Sequence, residues 1–287
     1  MGIVEGADVR LNYFDSGEGT PVTLLHGFTQ NARSWQELIS KMPTGWRWVA
    51  PDLRGHGDTK IKPGAPCTMD ACTQDLEMLW DQLGIARTHL VGYSMGGRLA
   101  LHVAVKRPER LLSLLTIGAH AGLEEEAREG RRRGDEALAQ RIEADGVGAF
   151  VNYWSSLPLF AGLERRGPSF VAQLRAERMG NTVAGLAASL RGMGAGGMAP
   201  LWDQLAQITV PSTFVAGQLD HGYVASARRL AAAVSNGRVE VVLRAGHTVH
   251  QERPDAFAHV LANHLRPAAA SDVAATSEDD SSSTTWA

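Results

Sequence analysis

The stretch Leu90–Ala100 reads LVGYSMGGRLA, and it constrains the fold more than any other part of the chain. It places Ser94 between Gly92 and Gly96, after an apolar run and before an amphipathic one. Such a Gly-x-Ser-x-Gly frame predicts a serine on a tight turn between a strand and a helix. Glycine is needed on both sides because a side chain there would collide where the strand and the helix close up. The turn exposes the serine hydroxyl above a sheet, with the first amides of the helix near any oxyanion that develops.

Length and composition fit one large α/β domain with an insertion, since the chain has 287 residues, of which 44% are hydrophobic and 21% charged. A net charge of −3 gives no reason to expect nucleic acid or an anionic membrane as a partner. Cys67 and Cys72 are the only cysteines, too few for a disulfide framework or a zinc site, so we expect no metal. No secretory signal and no long apolar run stand out, which favours a cytoplasmic protein.

Strand and helix signals alternate before residue 120 and again after residue 205. Val9–Phe14 and Val22–Leu25 have the pattern of two short strands, which we expect to pair antiparallel across the turn at 15–19. The alternation as a whole predicts an α/β fold, a mostly parallel sheet with helices on both faces. Further strands are predicted at 46–50, 90–92, 111–117, 213–216 and 239–243, and helices at 35–42, 70–83, 96–105, 225–234 and 256–265.

The stretch between these two α/β segments has a helical pattern and no convincing strand. An all-helical insertion here predicts a cap over the carboxyl edge of the sheet, where open α/β sheets bind ligands. We therefore expect a core of residues 1–120 and 205–266 and a cap of residues 121–204. Residues 267–287 are acidic and low in complexity, and they predict a disordered tail.

A serine on such a turn is inert without a base and a group that orients the base. Asp220 and His247 each follow a predicted strand, so we expect them at the same sheet edge as Ser94. The order serine, acid, histidine along the chain is the order known for this kind of turn. Asp220 could instead cap the helix after it, and His247 could be an ordinary loop histidine. His250 competes for the role of base, but it lacks the preceding glycine that lets the backbone turn.

The segment His26-Gly27-Phe28 follows another predicted strand. In this arrangement we expect the backbone amides of Phe28 and Met95 to form an oxyanion hole. His26 is expected to be structural, and so is the turn-rich loop at residues 51–59.

These residues resemble the α/β-hydrolase superfamily over nearly all of the chain before residue 267. More narrowly, the chain resembles the MenH family of menaquinone-pathway lyases. That resemblance rests on the elbow GYSMGGR, on His120–Leu123 with the arginine-rich stretch after it, on LRGMG at Leu190–Gly194, and on AGHTVHQERP near the end.

The resemblance implies an α/β-hydrolase fold with a helical cap. It also implies a lyase that removes pyruvate from a succinyl-enolpyruvyl-hydroxycyclohexene carboxylate, with the Ser-His-Asp triad as base and no metal or organic cofactor. Planar guanidinium groups suit the carboxylates of such a small substrate. By this resemblance Arg98, Arg131 and Arg178 bind the carboxylates, and Tyr93, Trp154 and Phe160 line the pocket.

Other interpretations of these residues stay open. Arg131 could lie on a solvated helix face paired with Glu124–Glu126, and Arg98 could form a salt bridge with a carboxylate of the cap. Trp154 and Phe160 could be the core of the cap. Nothing in the sequence indicates an oligomeric state.

The same triad would also serve a hydrolase of an ester, a thioester or a carbon–carbon bond, in which Ser94 attacks a carbonyl. A non-catalytic receptor is a third possibility, although it has no need of a complete triad. The lyase predicts that the three arginines share one cavity with Ser94, whereas the hydrolase predicts an apolar pocket with the arginines in solvent.

Overall fold

One nine-stranded sheet lies at the centre of the computed structural model, which describes residues 1–266. The predicted tail at 267–287 lies outside the described residues. The strand order is β1-β2-β4-β3-β6-β7-β8-β9, with β5 beside β2. The strands are β1 (Gly2–Glu5), β2 (Val9–Ser16), β3 (Thr20–Leu25), β4 (Trp46–Pro51), β5 (Lys60–Ile61), β6 (Thr88–Tyr93), β7 (Leu111–Ile117), β8 (Ser212–Gly217) and β9 (Gly237–Val242).

Neighbouring strands pair in parallel along the series β4-β3-β6-β7-β8-β9. Strand β2 pairs antiparallel with β1, β4 and β5. The predicted α/β fold with a mostly parallel sheet is confirmed. The expected pairing of Val9–Phe14 with Val22–Leu25 is wrong, because β4 lies between β2 and β3 and bonds to both. Val49 and Ala50 of β4 are fully buried, so this apolar strand needs a neighbour on each side.

Helices cover both faces of the sheet. Successive residues of the inner strands point to opposite faces, so Leu90 belongs to one apolar layer and Val91 to the other. Helices α2, α3 and α7 pack on the first layer, and α1 and α9 pack on the second. The helices are α1 (Gln36–Ser40), α2 (Met69–Gln82), α3 (Met95–Lys106), α4 (Glu125–Ser155), α5 (Pro168–Met179), α6 (Val183–Met193), α7 (His221–Ala233), α8 (Val249–Glu252) and α9 (Pro254–Leu265).

Helices α4, α5 and α6 form an insertion between β7 and β8, together with a 3-10 segment at Pro158–Arg166. The long helix α4 is interrupted at Gly146, whose φ of 79° is not helical. The insertion has an apolar cluster of its own that joins Ile142 and Phe150 of α4 to Leu186 of α6. No helix within residues 1–266 combines the length and the apolar character needed to cross a lipid bilayer.

Hydrogen bonds fasten this insertion, the cap, to the sheet domain, and Asn181 and Arg166 make two of these junctions. The Asn181 side chain donates to the Thr29 carbonyl at 2.8 Å and accepts from the Gly57 amide at 3.1 Å. Farther along the cap, Arg166 donates to the Glu37 carboxylate at 2.8 Å. These bonds hold the cap against segments of the sheet domain that lie far from it in the sequence.

Candidate active site

Ser94 lies at the junction of β6 and α3 in a strained conformation, with φ of 51° and ψ of −108°. Its amide donates to the Ile117 carbonyl at 2.8 Å, which ties the turn to β7. A Cβ atom at Gly92 would meet the Gly96 carbonyl, and one at Gly96 would meet the Leu25 carbonyl. The predicted requirement for glycine on both sides of the serine is confirmed.

Ser94, His247 and Asp220 form one hydrogen-bonded chain at the carboxyl edge of the sheet. Asp220 directly precedes α7, and His247 lies in the loop after β9. His247 Nδ1 lies 2.7 Å from Asp220 Oδ2, and His247 Nε2 lies 3.0 Å from Ser94 Oγ. Because a carboxylate only accepts, Nδ1 carries the proton, and Nε2 is free to accept the proton of the serine hydroxyl. This is the geometry of an activated serine.

His250 does not compete for Ser94. Its ring lies 4.6 Å from the Trp35 ring and 4.5 Å from the Tyr93 ring, measured between centroids. Neither of its nitrogens has a hydrogen-bond partner within residues 1–266. Burial, with a smaller contribution from His247, lowers the pKa of His250 to about 3, so the ring is neutral.

Glu252 braces the loop that carries His247. Its buried carboxylate accepts from the Gly246 amide at 2.8 Å and from the Thr248 amide at 3.1 Å. These amides flank His247 on both sides, so one side chain fixes the backbone beneath the imidazole. The sequence signals Glu252 only as an acidic residue of AGHTVHQERP, and it does not reveal this contact.

Phe28 and Met95, whose backbone amides are the predicted oxyanion donors, both lie at the cavity. Both residues line the same cavity as Ser94, and Met95 is the first residue of α3. Neither amide donates to another group in the part of the chain that the structure describes. The predicted oxyanion hole stays a prediction, and these two unpaired amides of cavity residues are consistent with it.

The cavity between cap and sheet has a volume of about 240 Å³. Its walls combine the triad face of Ser94 and His247 with the buried ring of Tyr93 and with apolar side chains of the cap. Trp154 lies 5.3 Å from Phe28 and 5.5 Å from Phe160, again between ring centroids. Trp154 and Phe160 thus line the cavity and also pack within the cap, so the two interpretations of these aromatics are compatible.

Arg98 projects from α3 into this cavity, and its side chain is buried. Its Nη2 donates to the Met193 carbonyl at 2.9 Å, and no carboxylate of residues 1–266 pairs with it. The expected alternative, a salt bridge to the cap, is therefore absent from the described residues. Burial lowers the pKa of Arg98 to about 10, which leaves the group cationic at neutral pH. A buried cation without a counter-ion is suited to receive an anion.

Arg131 also lines the cavity, on the cap side. Its Nε donates to Asp135 Oδ1 at 2.7 Å, one helical turn away on α4. The alternative interpretation is met in part, since the side chain is half-exposed and paired on its own helix, but with Asp135 and not with Glu124–Glu126.

Arg178 differs from the other two arginines, because it does not line the cavity. It is buried behind Phe160, with its guanidinium carbon 4.8 Å from the ring centroid, and it donates to Ser155 Oγ at 2.7 Å. Burial lowers its pKa. The expectation that three arginines face one cavity is thus met by two, since packing within the cap places the aromatic ring in front of Arg178.

Tyr223 is a cavity residue that the sequence did not single out. Its ring centroid lies 4.5 Å from that of His247, on the first turn of α7 after Asp220. Burial raises the pKa of its hydroxyl, so the group stays protonated at neutral pH. In the sequence, its position three residues after Asp220 is the one indication that it lies near the triad.

The loop at 51–59 is a scaffold, as expected. Arg54 is buried in ion pairs with Asp75 and Asp8, each at 2.6 Å. His26 Nε2 accepts from the Leu53 amide at 2.9 Å, and burial lowers the pKa of His26 to about 4.

Comparisons with known proteins give matches over most of the chain. The sequence matches the alpha/beta hydrolase fold family over residues 20–254. A Bacillus subtilis (strain 168) protein, provisionally named 2-succinyl-6-hydroxy-2,4-cyclohexadiene-1-carboxylate synthase, is 37% identical over 262 residues, or 90% of this chain and 95% of that protein. An Enterobacter sp. (strain 638) synthase of that name is 31% identical over 246 residues, or 85% and 91%. The structure of MenH from S. aureus superposes with a TM-score of 0.84 at 30% identity, covering 88% of this chain and 97% of that one.

Proposed function

Because the chain belongs to the α/β hydrolase fold family, and within it to the 2-succinyl-6-hydroxy-2,4-cyclohexadiene-1-carboxylate synthases, we propose that it eliminates pyruvate from 2-succinyl-5-enolpyruvyl-6-hydroxy-3-cyclohexene-1-carboxylate. The protein is thus a carbon–oxygen lyase of menaquinone biosynthesis. The observation that carries this most strongly in the site itself is Arg98, a buried guanidinium with no carboxylate partner in the described chain, which faces the cavity of Ser94.

The reaction begins with removal of a proton from carbon. In this substrate the ring carbon that bears the succinyl group lies next to a ketone, so its proton is acidified. We assign the base to Ser94, whose hydroxyl proton passes to Nε2 of His247 as the serine oxygen takes the carbon-bound proton. Asp220 holds the imidazole in the required tautomer and stabilises its charged form.

Charge then develops on the ketone oxygen. The amides of Phe28 and Met95 donate to this oxygen and stabilise the enolate. When the enolate collapses, its electrons move through the ring double bond and break the bond to the enolpyruvyl oxygen. Pyruvate leaves as its enol form after protonation by the imidazolium, and a cyclohexadiene remains. No step of this sequence requires a redox change.

Arg98 and Arg131 are assigned to the substrate carboxylates. Guanidinium groups bind carboxylates through paired hydrogen bonds, and the buried position of Arg98 strengthens such a contact. Tyr93, Trp154 and Phe160 shape the wall around the ring. Arg178 acts from behind this wall in the present arrangement, as a charge on the far face of Phe160.

A hydrolase would use the same triad, with Ser94 attacking a carbonyl carbon. That activity is less well supported here, because it gives no role to the cavity arginines. We expect the substrate to be a small multi-carboxylate, with neither nucleic acid nor membrane as a partner. A cytoplasmic location is part of this proposal.

The test is to incubate purified protein with the enolpyruvyl cyclohexene tricarboxylate and follow pyruvate through lactate dehydrogenase. We expect fast release that falls by about a thousandfold in Ser94→Ala and by about a hundredfold in kcat/KM in Arg98→Ala. Turnover of p-nitrophenyl esters without any pyruvate release would overturn the lyase and favour the hydrolase.

A further inference from the structure

The segment Met193–Gly197 leads from the end of α6 back toward the core, and its first three residues line the cavity. It is held from both sides. From the core, Arg98 Nη2 donates to the Met193 carbonyl at 2.9 Å. From the cap, the Gly196 amide donates to Asp135 Oδ2 at 3.2 Å.

Asp135 is the link between this segment and the second cavity arginine. Its side chain is 4% exposed, and its other oxygen accepts from Arg131 Nε at 2.7 Å. One buried side chain thus ties α4, Arg131 and the cavity wall into one unit. Burying a carboxylate is costly unless its oxygens accept hydrogen bonds, and both oxygens of Asp135 do so.

The fit between the segment and α4 is close. A Cβ atom at Gly194 would collide with the Asp135 carboxylate, and one at Gly196 would collide with the backbone of Arg132. The two glycines therefore permit the approach that the hydrogen bond requires.

Arg131 is held by one edge only. Its Nε is taken by Asp135, while its two terminal nitrogens have no partner in residues 1–266. The side chain is 48% exposed, and it faces the cavity. The two terminal nitrogens form one of the two guanidinium edges that can make paired hydrogen bonds with a carboxylate.

We propose that Asp135 is a positioning residue for substrate binding, which fixes Arg131 relative to Arg98 before the substrate arrives. This inference rests on the proposed function, since it assigns the two arginines to two carboxylates of one ligand. The substrate class that fits is a small molecule with two carboxylates, one of which contacts Arg98 while the other contacts Arg131. A pre-set separation reduces the ordering cost of binding and discriminates against ligands with one carboxylate.

The chain provides a matched control on the same helix. Arg141 and Asp145 repeat the order and spacing of Arg131 and Asp135, with Nε and Oδ2 at 3.4 Å. That pair is half-exposed, and neither residue lines the cavity. Asp145→Asn therefore makes the same chemical change without touching the segment or the site.

Steady-state pyruvate release by the full-length protein is the first measurement. In Asp135→Asn the new NH₂ group must face either Arg131 Nε or the Gly196 amide, and neither of these donors can accept a hydrogen bond. We therefore expect KM to rise roughly tenfold, with kcat within about twofold of the unchanged protein. Asp145→Asn should match the unchanged protein. A second, turnover-free measurement is the affinity of Ser94→Ala for the tricarboxylate by calorimetry, with and without Asp135→Asn, where the same weakening is expected.

A double variant separates positioning from a structural role. If Asp135 acts through Arg131, then Arg131→Ala with Asp135→Asn binds no more weakly than Arg131→Ala alone. Additive effects, an unchanged KM in Asp135→Asn, or a loss confined to kcat would each overturn the proposal. If Asp135→Asn fails to fold, Asp135→Glu replaces it in the test, because it keeps the charge but shifts both oxygens. A KM for Asp135→Glu equal to that of the unchanged protein would contradict the positioning role of Asp135. Absence of pyruvate release by the unchanged protein would instead refute the proposed function, whatever Asp135 does.

Discussion

The guanidinium carbon of Arg178 lies 4.8 Å from the centroid of the Phe160 ring, and of these two residues only Phe160 lines the cavity. The cation faces the electron-rich side of the ring, which is a favourable arrangement for a desolvated arginine. Its only hydrogen bond to a side chain of the described residues goes to Ser155. Arg178 therefore stabilises the aromatic wall, while Arg98 is placed to meet a ligand directly.

The first prediction compares these two arginines through the same substitution. Arg98→Met should lower kcat/KM for pyruvate release by about a hundredfold, since a charged contact to the substrate is lost. Arg178→Met should lower it by less than about tenfold, because only the support of Phe160 is lost. Equal losses in the two variants would show that Arg178 moves into the cavity and binds a carboxylate itself.

The second prediction concerns the loop of His247. Glu252→Gln replaces one of two acceptors by an NH₂ group that must face the amide of Gly246 or Thr248. We expect kcat to fall roughly tenfold with little change in KM, because the imidazole is displaced while the arginines are not. Steady-state kinetics measures both quantities.

Arg165→Ala is the control for Glu252, since the exposed Arg165 guanidinium approaches this carboxylate at 3.9 Å without bracing the loop. Its kinetics should be unchanged. A rise in KM in Glu252→Gln would place Glu252 with substrate binding and contradict the bracing role.

The third prediction concerns the turn at Ser94. Gly96→Ala would drive a methyl group into the Leu25 and His26 carbonyls, so we expect a loss of about 3 kcal/mol or more in the free energy of unfolding. Gly134→Ala on α4 meets nothing within 4 Å, and it should stabilise the protein by up to about 1 kcal/mol. Urea unfolding gives both values, and similar stabilities for the two variants would contradict the steric argument.

The fourth prediction concerns acid. The folded protein keeps His250 neutral down to about pH 3, whereas the unfolded chain binds a proton there below about 6.5. The unfolded state thus gains protons first as the pH falls, so stability decreases through this window by about 1.4 kcal/mol per pH unit for this residue. Other buried histidines with lowered pKa values, among them His26, His56 and His264, add to the loss.

His250→Phe tests the contribution of His250, because it keeps a ring between Trp35 and Tyr93 and removes the titration. Between pH 6.5 and about pH 5 it should lose about 2 kcal/mol less than the unchanged protein. Unfolding free energies across this range provide the comparison. Parallel pH profiles would contradict the assignment.

The sequence predicts what is local or repeats along the chain. The elbow at Ser94 is encoded within a few residues, and alternating strands and helices imply the parallel sheet. Because the carboxyl ends of parallel strands share one edge, the sequence predicts that Asp220 and His247 lie beside Ser94. The pairing of β2 fails for the opposite reason, since its partner β4 comes later in the chain and displaces the nearer β3.

Side-chain direction inside the cap depends on packing that a sequence pattern does not specify. Arg131 and Arg178 are equivalent by motif, yet one faces the cavity and the other lies behind Phe160. The role of Glu252 was hidden in the same way, because its partners are backbone amides. Short elements such as β1 and β5 were missed, since they are stabilised as edges of a sheet that forms from other segments.

The cap leaves the sheet after β7 and returns at β8, its immediate neighbour. A chain built in this way can be recombined. One contiguous exchange, from the end of β7 to the start of β8, would transplant a different cap onto the same catalytic platform. The graft would need to carry its own counterparts of Asn181 and Arg166, because these two side chains bond to loops of the platform. The cap, which shapes the substrate cavity, can accordingly change in evolution while the sheet domain, which carries the triad, stays the same.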